Sequence, residues 1–391
     1  VPISSDIKDA MTRGSFIRKM FEEGAALKKE HGADKVFDLS IGNPVMEPPP
    51  AFFDALAELS RRRSDGLHRY MPNDGYPHVK ERIAAKLRDD GVFAAGPGDI
   101  VMTVGAAGGM NTVLKTIVDP GDEILILSPY FVEYIFYARN HNATPVFAET
   151  AEDFNLDLGE IEKKLSPKTK GLIINSPNNP TGRIYPRETL EGLAGLLMAK
   201  QKEWGTSIYV IADEPYREIV FVDDPPPSIV SLYPNSFMVY SWSKSLSIPG
   251  ERIGFIAAHP EIDDPDVRGG LTFSNRVLGF VNAPAAMQHI AGQLLDETVD
   301  VNDYRAKRDR LVAGLREAGY DLVVPEGTFY VFPRSPLEDD VEFTRRAQEE
   351  LVLVVPGSGF GRPGFFRIAF CVDDAAVDGG LAALQRTMKK L

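Results

Sequence analysis

From about residue 98 to residue 258 the chain repeats one pattern, a short run of β-branched and aliphatic residues followed by a longer segment with helical spacing. "DIVMTV" reads as a strand, "GGMNTVLKTIVD" as a helix stopped by Pro120-Gly121, "EILILSP" as a strand and "YFVEYIFYARN" as a helix. The strand-like "GLIINSP", the helical "ETLEGLAGLLMAKQKEW", and then "SIYVIADEPY", "FMVYSWSK" and "RIGFIAAH" continue the series. Several of these runs are apolar at every position rather than at alternate ones. Such strands are covered on both faces, which a mostly parallel sheet between two helical layers provides. The expected fold class is therefore α/β, a doubly wound sheet.

After residue 300 the character changes. "DYRAKRDRLVAGLREAGY" is a long charged helix, followed by strand-like "GTFYVFP", "LVLVVPG" and "FFRIAFC" and a last helix in "DAAVDGGLAALQRTMKK". That segment reads as a smaller α+β unit. The expected division is a large α/β domain over 48–300 and a small domain built from 1–47 and 301–391. A length of 391 residues suits two such units.

In an open parallel sheet, ligands bind beyond the carboxyl ends of the strands, and here those ends carry a coherent polar set. After "DIVMTV" comes Gly105-Ala106-Ala107-Gly108-Gly109, whose small residues let backbone N–H groups approach an anion at a helix N-terminus. "GLIIN" is followed by "SPNNPTG" with Asn178 and Asn179, "YVIA" by Asp213, Glu214 and Tyr216, and "FMVYS" by Lys244. Each of these alone has a structural explanation as a turn former or a helix cap. Their succession at consecutive strand ends points to one site. Ser241 and Lys244 also satisfy S-x-x-K, a pattern of some acyl-transfer enzymes, but neither S-D-N nor K-T-G occurs in the chain.

A lysine for a Schiff base, an acid for a ring nitrogen and a phosphate cradle are what pyridoxal 5'-phosphate requires. "SPNNPTG", "ADEPY" and "SWSKSLSIPGERIG" occur in the order found in the class I/II aminotransferases, fold-type I enzymes that use this cofactor. The chain resembles that family from "LSIGNP" at residue 39 to "FFRIAF" ending at residue 370. The resemblance implies a large domain with a seven-stranded, mostly parallel sheet sandwiched by helices. It implies that Lys244 joins the cofactor aldehyde, that Asp213 faces the ring nitrogen, and that Asn179 and Tyr216 bind the ring hydroxyl oxygen. Ser241, Ser243, Arg252 and the backbone N–H groups of Ala106 and Ala107 would hold the phosphate. Phe131 matches the aromatic stacked on the ring, Arg367 the arginine that clamps a substrate α-carboxylate, and Gly42 the glycine beside it. Two positions depart from the commoner pattern. Ala107 offers only its main chain to the phosphate, and Phe131 has a stacking face without a polar tip.

The implied activity is transfer of an amino group between an L-amino acid and a 2-oxo acid, with a lyase or a cyclopropane-forming synthase on the same scaffold as the alternative. The family segment around "HRYMPNDGYPHVKERIA" implies a homodimer in which Tyr70 reaches the phosphate of the neighbouring subunit. Arg276, shortly before Asn282 and Pro284, lies roughly where dicarboxylate-specific relatives carry an arginine, so aspartate or glutamate is one expected substrate class.

A net charge of -13 argues against nucleic acid as a partner, because a phosphate backbone demands a basic face. That charge, and the short stretch before "LSIGNP", also argue against a DNA-binding regulator that keeps an aminotransferase-like sensor domain. Arg61-Arg62-Arg63 reads as the end of the helix begun by "FFDALAELS", where cations meet the negative end of the helix dipole. Cys371 is the only cysteine, which excludes an intrachain disulfide and reads as a buried strand thiol in a reducing compartment. The N-terminal residues lack the apolar stretch of a secretion signal, and no run reaches the roughly 18 apolar residues of a membrane span. A cytoplasmic location is expected.

Overall fold

The computed structural model describes residues 34–63 and 66–391, together with 3, 4, 7, 8, 11, 24 and 26–32. Most of the segment read for a secretion signal, and much of the 1–33 portion assigned to the small unit, lies outside the described residues.

A short strand β1 (Phe37–Asp38) and the helices Pro50–Arg61 and Pro77–Asp89 precede the main sheet. The sheet then takes β2 (Ile100–Thr103), β3 (Glu123–Ser128), β4 (Thr144–Glu149), β5 (Thr169–Asn175), β6 (Tyr209–Asp213), β7 (Ser236–Ser241) and β8 (Gly254–Ala258). Their order is β2-β8-β7-β6-β5-β3-β4. The pairs β4 to β3, β3 to β5, β5 to β6 and β6 to β7 are parallel, and β8 runs antiparallel to both β7 and β2. The sheet is thus seven-stranded and mostly parallel, as expected.

Successive side chains on a strand face opposite sides, and the fully apolar runs feed two cores. Leu172, Ile174, Val210, Ala212 and Met238 pack with Leu190, Leu193 and Leu197 of the helix Arg187–Trp204. Ile173, Ile211, Val239 and Ile256 pack on the other side with Met110, Val113, Leu114 and Ile117 of the helix Gly105–Ile117.

The C-terminal part adds the helix Val301–Glu317, β9 (Tyr330–Val331), β10 (Val352–Leu353), β11 (Val355–Pro356), β12 (Phe366–Ala369) and the helix Asp374–Lys390. β11, β12 and β9 form an antiparallel sheet, and β10 pairs in parallel with β1. A third core unites Leu39, Tyr304, Leu311, Leu315, Phe343, Phe366 and Leu384 with Tyr216 and Ile219 from the loop after β6. That loop joins the strand end carrying Asp213 to the C-terminal core.

Register brings the functional strand ends level. Asn175 lies opposite Asp213, and Gly254 lies opposite both Ser241 and Thr103. A Cβ on Gly254 would stand 2.3 Å from the Tyr240 carbonyl oxygen and 3.0 Å from the Gly105 carbonyl carbon, both of them backbone atoms. Neither neighbour can rotate away, so Gly254→Ala should cost about 1–3 kcal/mol of unfolding free energy. Chemical denaturation of the variant against wild type measures this.

Candidate active site

The strand ends open into one cavity of about 440 Å³. It is lined by Gly42, Ala106, Ala107, Phe131, Asn179, Asp213, Tyr216, Ser241, Ser243, Lys244, Arg252 and Arg367. The site residues implied by the family resemblance therefore converge, with two exceptions. Tyr70 is 90% exposed and Arg276 lies on the surface with its guanidinium over the Phe273 ring, 5.1 Å from the ring centre. Within one chain neither reaches the cavity.

Lys244 stands on a one-turn helix, Trp242–Ser245, that β7 enters directly. Ser241 caps that turn by accepting from the Ser243 N–H at 3.2 Å, and its hydroxyl lies 2.8 Å from that of Ser243. Lys244 Nζ donates to the Gly42 carbonyl at 2.9 Å. Burial, with the like charges of Arg367 and Arg252 behind it, pushes the amine down to about 8. Arg252 follows the turn Pro249–Glu251 in a left-handed backbone conformation, φ 51°. Its guanidinium packs against Gly105, where a Cβ would meet Nη2 at 2.8 Å. The first N–H groups of the helix Gly105–Ile117, which lack intrahelical acceptors, thus face a cation and two serine hydroxyls.

Asp213 is held from two sides. The Asn175 amide donates to its backbone carbonyl at 2.7 Å, and the Tyr134 hydroxyl donates to Oδ2 at 2.5 Å. Oδ1 is buried and has no hydrogen-bond partner. Burial raises the carboxyl to about 7, against the Tyr134 hydrogen bond that lowers it.

Arg367 on β12 reaches across to the main sheet. Nη1 donates to Asn179 Oδ1 at 3.1 Å and Nη2 to the Ser40 carbonyl at 2.7 Å, while Nε is buried and unpartnered. Among the described residues no carboxylate forms an ion pair with Lys244, Arg252 or Arg367. Three cations without a counter-ion in one cavity are a site for an anion. Cys371 is buried, its thiol pushed up to about 12 by burial, in accord with an inert thiol, but it lies just past the end of β12 rather than within a strand.

The cavity also contains groups that motif reading passes over. Tyr134 sits in the helix Glu133–Asn140 and its only sequence signal is an aromatic after a strand end. Tyr330 and Phe360 flank the Arg367 guanidinium at 4.5 and 4.6 Å from their ring centres. Tyr330 sits in an apolar run that reads simply as core, and Phe360 in the glycine-rich "GSGFGRPG", which carries no functional signal.

The family model for aminotransferase class I and II matches residues 34–384. The chain belongs to that family. It is 30% identical over 377 residues to a probable aspartate/prephenate aminotransferase from Aquifex aeolicus, covering 91% of this chain and 92% of the relative. It is 31% identical over 353 residues to the aspartate aminotransferase of Thermotoga maritima, covering 88% and 89%. A crystal structure of an amino transferase from Eubacterium rectale superposes with a TM-score of 0.95 at 35% identity, over 100% of this chain and 99% of that one. The Thermus thermophilus aspartate aminotransferase with maleate gives a TM-score of 0.85 at 27% identity, over 95% and 96%. Members of this family generally depend on pyridoxal 5'-phosphate.

The raised carboxyl makes stability depend on pH. An ordinary aspartate titrates near 3.8, so between 3.8 and about 7 the folded chain keeps a proton that the unfolded chain releases. Stability from this group falls through that window and levels off above it. Asp213→Asn should therefore raise the melting temperature of the cofactor-free protein more at about pH 8 than at about pH 5. Thermal scans at the two pH values read the difference.

Proposed function

We propose that this aminotransferase binds pyridoxal 5'-phosphate in the cavity between Lys244, Asp213, Arg252 and Arg367, and exchanges an amino group between an amino acid and a 2-oxo acid. The carrying observation is the pairing of an orphaned buried carboxylate oxygen with three uncompensated cations in one cavity. A protonated ring nitrogen suits Asp213 Oδ1, and an anionic phosphate suits Arg252, Ser241, Ser243 and the N–H groups of Ala106 and Ala107. A substrate carboxylate suits Arg367, whose planar guanidinium is already oriented. The division into a large unit over 48–300 and a small unit from 1–47 and 301–391 belongs to this reading, with Arg367 contributed by the small unit.

When bound, the cofactor supplies an aldehyde carbon that joins the amino nitrogen and a ring that takes up electrons from the substrate α-carbon. The chain does the rest. Lys244, with its amine brought near neutrality, can be neutral in part at working pH and so move the α-proton as base and then acid. Asp213 would hold a proton on the ring nitrogen by its charge, and the Tyr134 hydroxyl, donating to Oδ2, favours the ionised carboxyl against the burial that opposes it. Asn179 and Tyr216 would bind the ring hydroxyl oxygen, and Phe131 would stack on the ring. Arg367 orients the substrate through its α-carboxylate, which limits the positions the α-carbon can take relative to Nζ.

Lys244→Ala should lose about 10²–10⁴-fold or more in turnover, and borohydride reduction of the loaded wild-type protein should add the cofactor mass at Lys244. Arg367→Ala should raise KM roughly 10- to 100-fold, the loss of one or two charge-assisted hydrogen bonds. A donor and 2-oxo-acid panel with product identification checks both effects and separates transamination from elimination. A Lys244→Ala variant as fast as wild type would refute the assignment.

Two further features support a homodimer with shared sites. Asn73 Nδ2 donates to the Val281 carbonyl at 3.0 Å and Asn282 Nδ2 to the Pro72 carbonyl at 2.9 Å, so the loop after Tyr70 is joined to the one that follows the helix Val267–Val277, whose last turn carries Arg276. Through it Tyr70 would reach the phosphate of a second copy and Arg276 its substrate side chain. The named activities and the maleate of the relatives favour a dicarboxylate donor such as aspartate. Lys244, Arg252 and Arg367 are the cations lining this chain's own cavity, so a distal carboxylate would need the partner subunit's Arg276. Arg276→Ala should depress kcat/KM for aspartate while sparing alanine and phenylalanine. Equal losses for all three, or a single-chain mass in solution with full activity, would remove this part of the reading.

A further inference from the structure

Tyr330 touches more of the substrate-facing machinery than any role carried over from the family motifs explains. Its side chain is buried and lines the cavity. The Arg367 guanidinium carbon lies 4.5 Å from the centre of its ring and 4.6 Å from that of Phe360, so two aromatic rings pack against the cation. Its hydroxyl lies 3.2 Å from that of Tyr216 and has no other hydrogen-bond partner among the described residues. A Cβ at Gly42 would fall 1.8 Å from the Tyr330 hydroxyl oxygen. The phenol therefore fills the space that a side chain at position 42 would need, next to the carbonyl that accepts from Lys244.

We propose that Tyr330 is a positioning residue with two separable actions, its ring holding the plane of Arg367 and its hydroxyl turning the Tyr216 O–H toward the cavity. The proposal rests on the cofactor reading above. Two edge-on hydrogen bonds, to Asn179 Oδ1 and the Ser40 carbonyl, leave the guanidinium free to rock about the line joining its two nitrogens. Aromatic rings packed against the guanidinium oppose that rocking, and a carboxylate bound by two parallel N–H groups needs the plane held. Tyr216 has a single proton. If Tyr216 donated it to Tyr330, it would meet a ring oxygen only as an acceptor. With Tyr330 as donor, the Tyr216 proton is available to the cavity, and a phenol that accepts a hydrogen bond donates a better one in turn.

The alternative is that Tyr330 only fills the core, and two variants separate the possibilities. Tyr330→Phe keeps the ring and removes the hydroxyl, while Tyr330→Leu removes both. Each is loaded with pyridoxal 5'-phosphate and compared with wild type by the pH midpoint of its visible absorption. Binding of 2-methylaspartate and 2-methylalanine, which lack the α-proton and cannot turn over, is titrated by absorbance. Tyr330→Leu should weaken analogue binding about 10-fold and Tyr330→Phe by less than about 2-fold. Tyr330→Phe should raise the absorption midpoint by about half a pH unit, because a weaker Tyr216 donor stabilises the ring oxygen anion less.

The proposal is overturned if Tyr330→Leu binds the analogues as wild type does, or if the Tyr330→Phe midpoint stays or falls. Should Tyr330→Leu fail to fold, the midpoint of Tyr330→Phe decides. A wild-type protein without the visible band would instead defeat the cofactor reading itself, a result the variants cannot produce.

Discussion

The parallel register of β5, β6 and β7 is the constraint on which the rest of the site depends. Parallel strands all end on the same side of the sheet, so polar residues that terminate apolar runs arrive together without further instruction. Asn175 opposite Asp213 is one rung of that ladder, and the Asn175 amide crosses to the Asp213 carbonyl and also accepts from the Asn179 N–H. The same register carries β7 into the turn that holds Lys244 and sets Gly254 against Ser241, which brings Arg252 back over the start of the helix Gly105–Ile117. A one-residue slip would turn each strand's apolar residues to the opposite face and scatter these groups.

Burial then sets the chemistry. The same desolvation acts with opposite sign on a carboxyl and an amine, raising Asp213 and lowering Lys244, so that both come close to neutral pH. By themselves these groups are unfavourably placed, with three cations lining one cavity and a buried carboxylate oxygen lacking a donor. A ligand carrying a phosphate, a protonated ring nitrogen and a carboxylate would relieve each of these at once. Strain of this kind is the cost of a site organised before its ligand arrives.

The C-terminal unit supplies what the sheet alone lacks. Arg367 crosses from β12 to hydrogen-bond Asn179 and the Ser40 carbonyl, and Tyr216 packs into the C-terminal core while facing the cavity. The C-terminal segments and the main sheet therefore meet at the groups that would hold substrate. Movement between them would alter carboxylate binding and the Tyr216 phenol together, with Tyr330 touching both.

By itself the sequence determined the alternation of strand and helix, the mostly parallel sheet and the convergence of Lys244, Asp213 and Asn179, to which the family resemblance added Arg252 and the serines. Those features were legible because fully apolar runs demand two-sided burial and because polar residues at strand ends stand out against them. Tertiary structure alone decided the roles open to Tyr134, Tyr330 and Phe360. An aromatic residue that packs a core and one that hydrogen-bonds a carboxylate or flanks a guanidinium look alike in one dimension, since the difference lies in which neighbour the ring meets. It also decided that Tyr70 and Arg276 stay outside this chain's own cavity. Exposure and the direction of a loop come from packing between segments far apart in sequence, and no local pattern of residues encodes them.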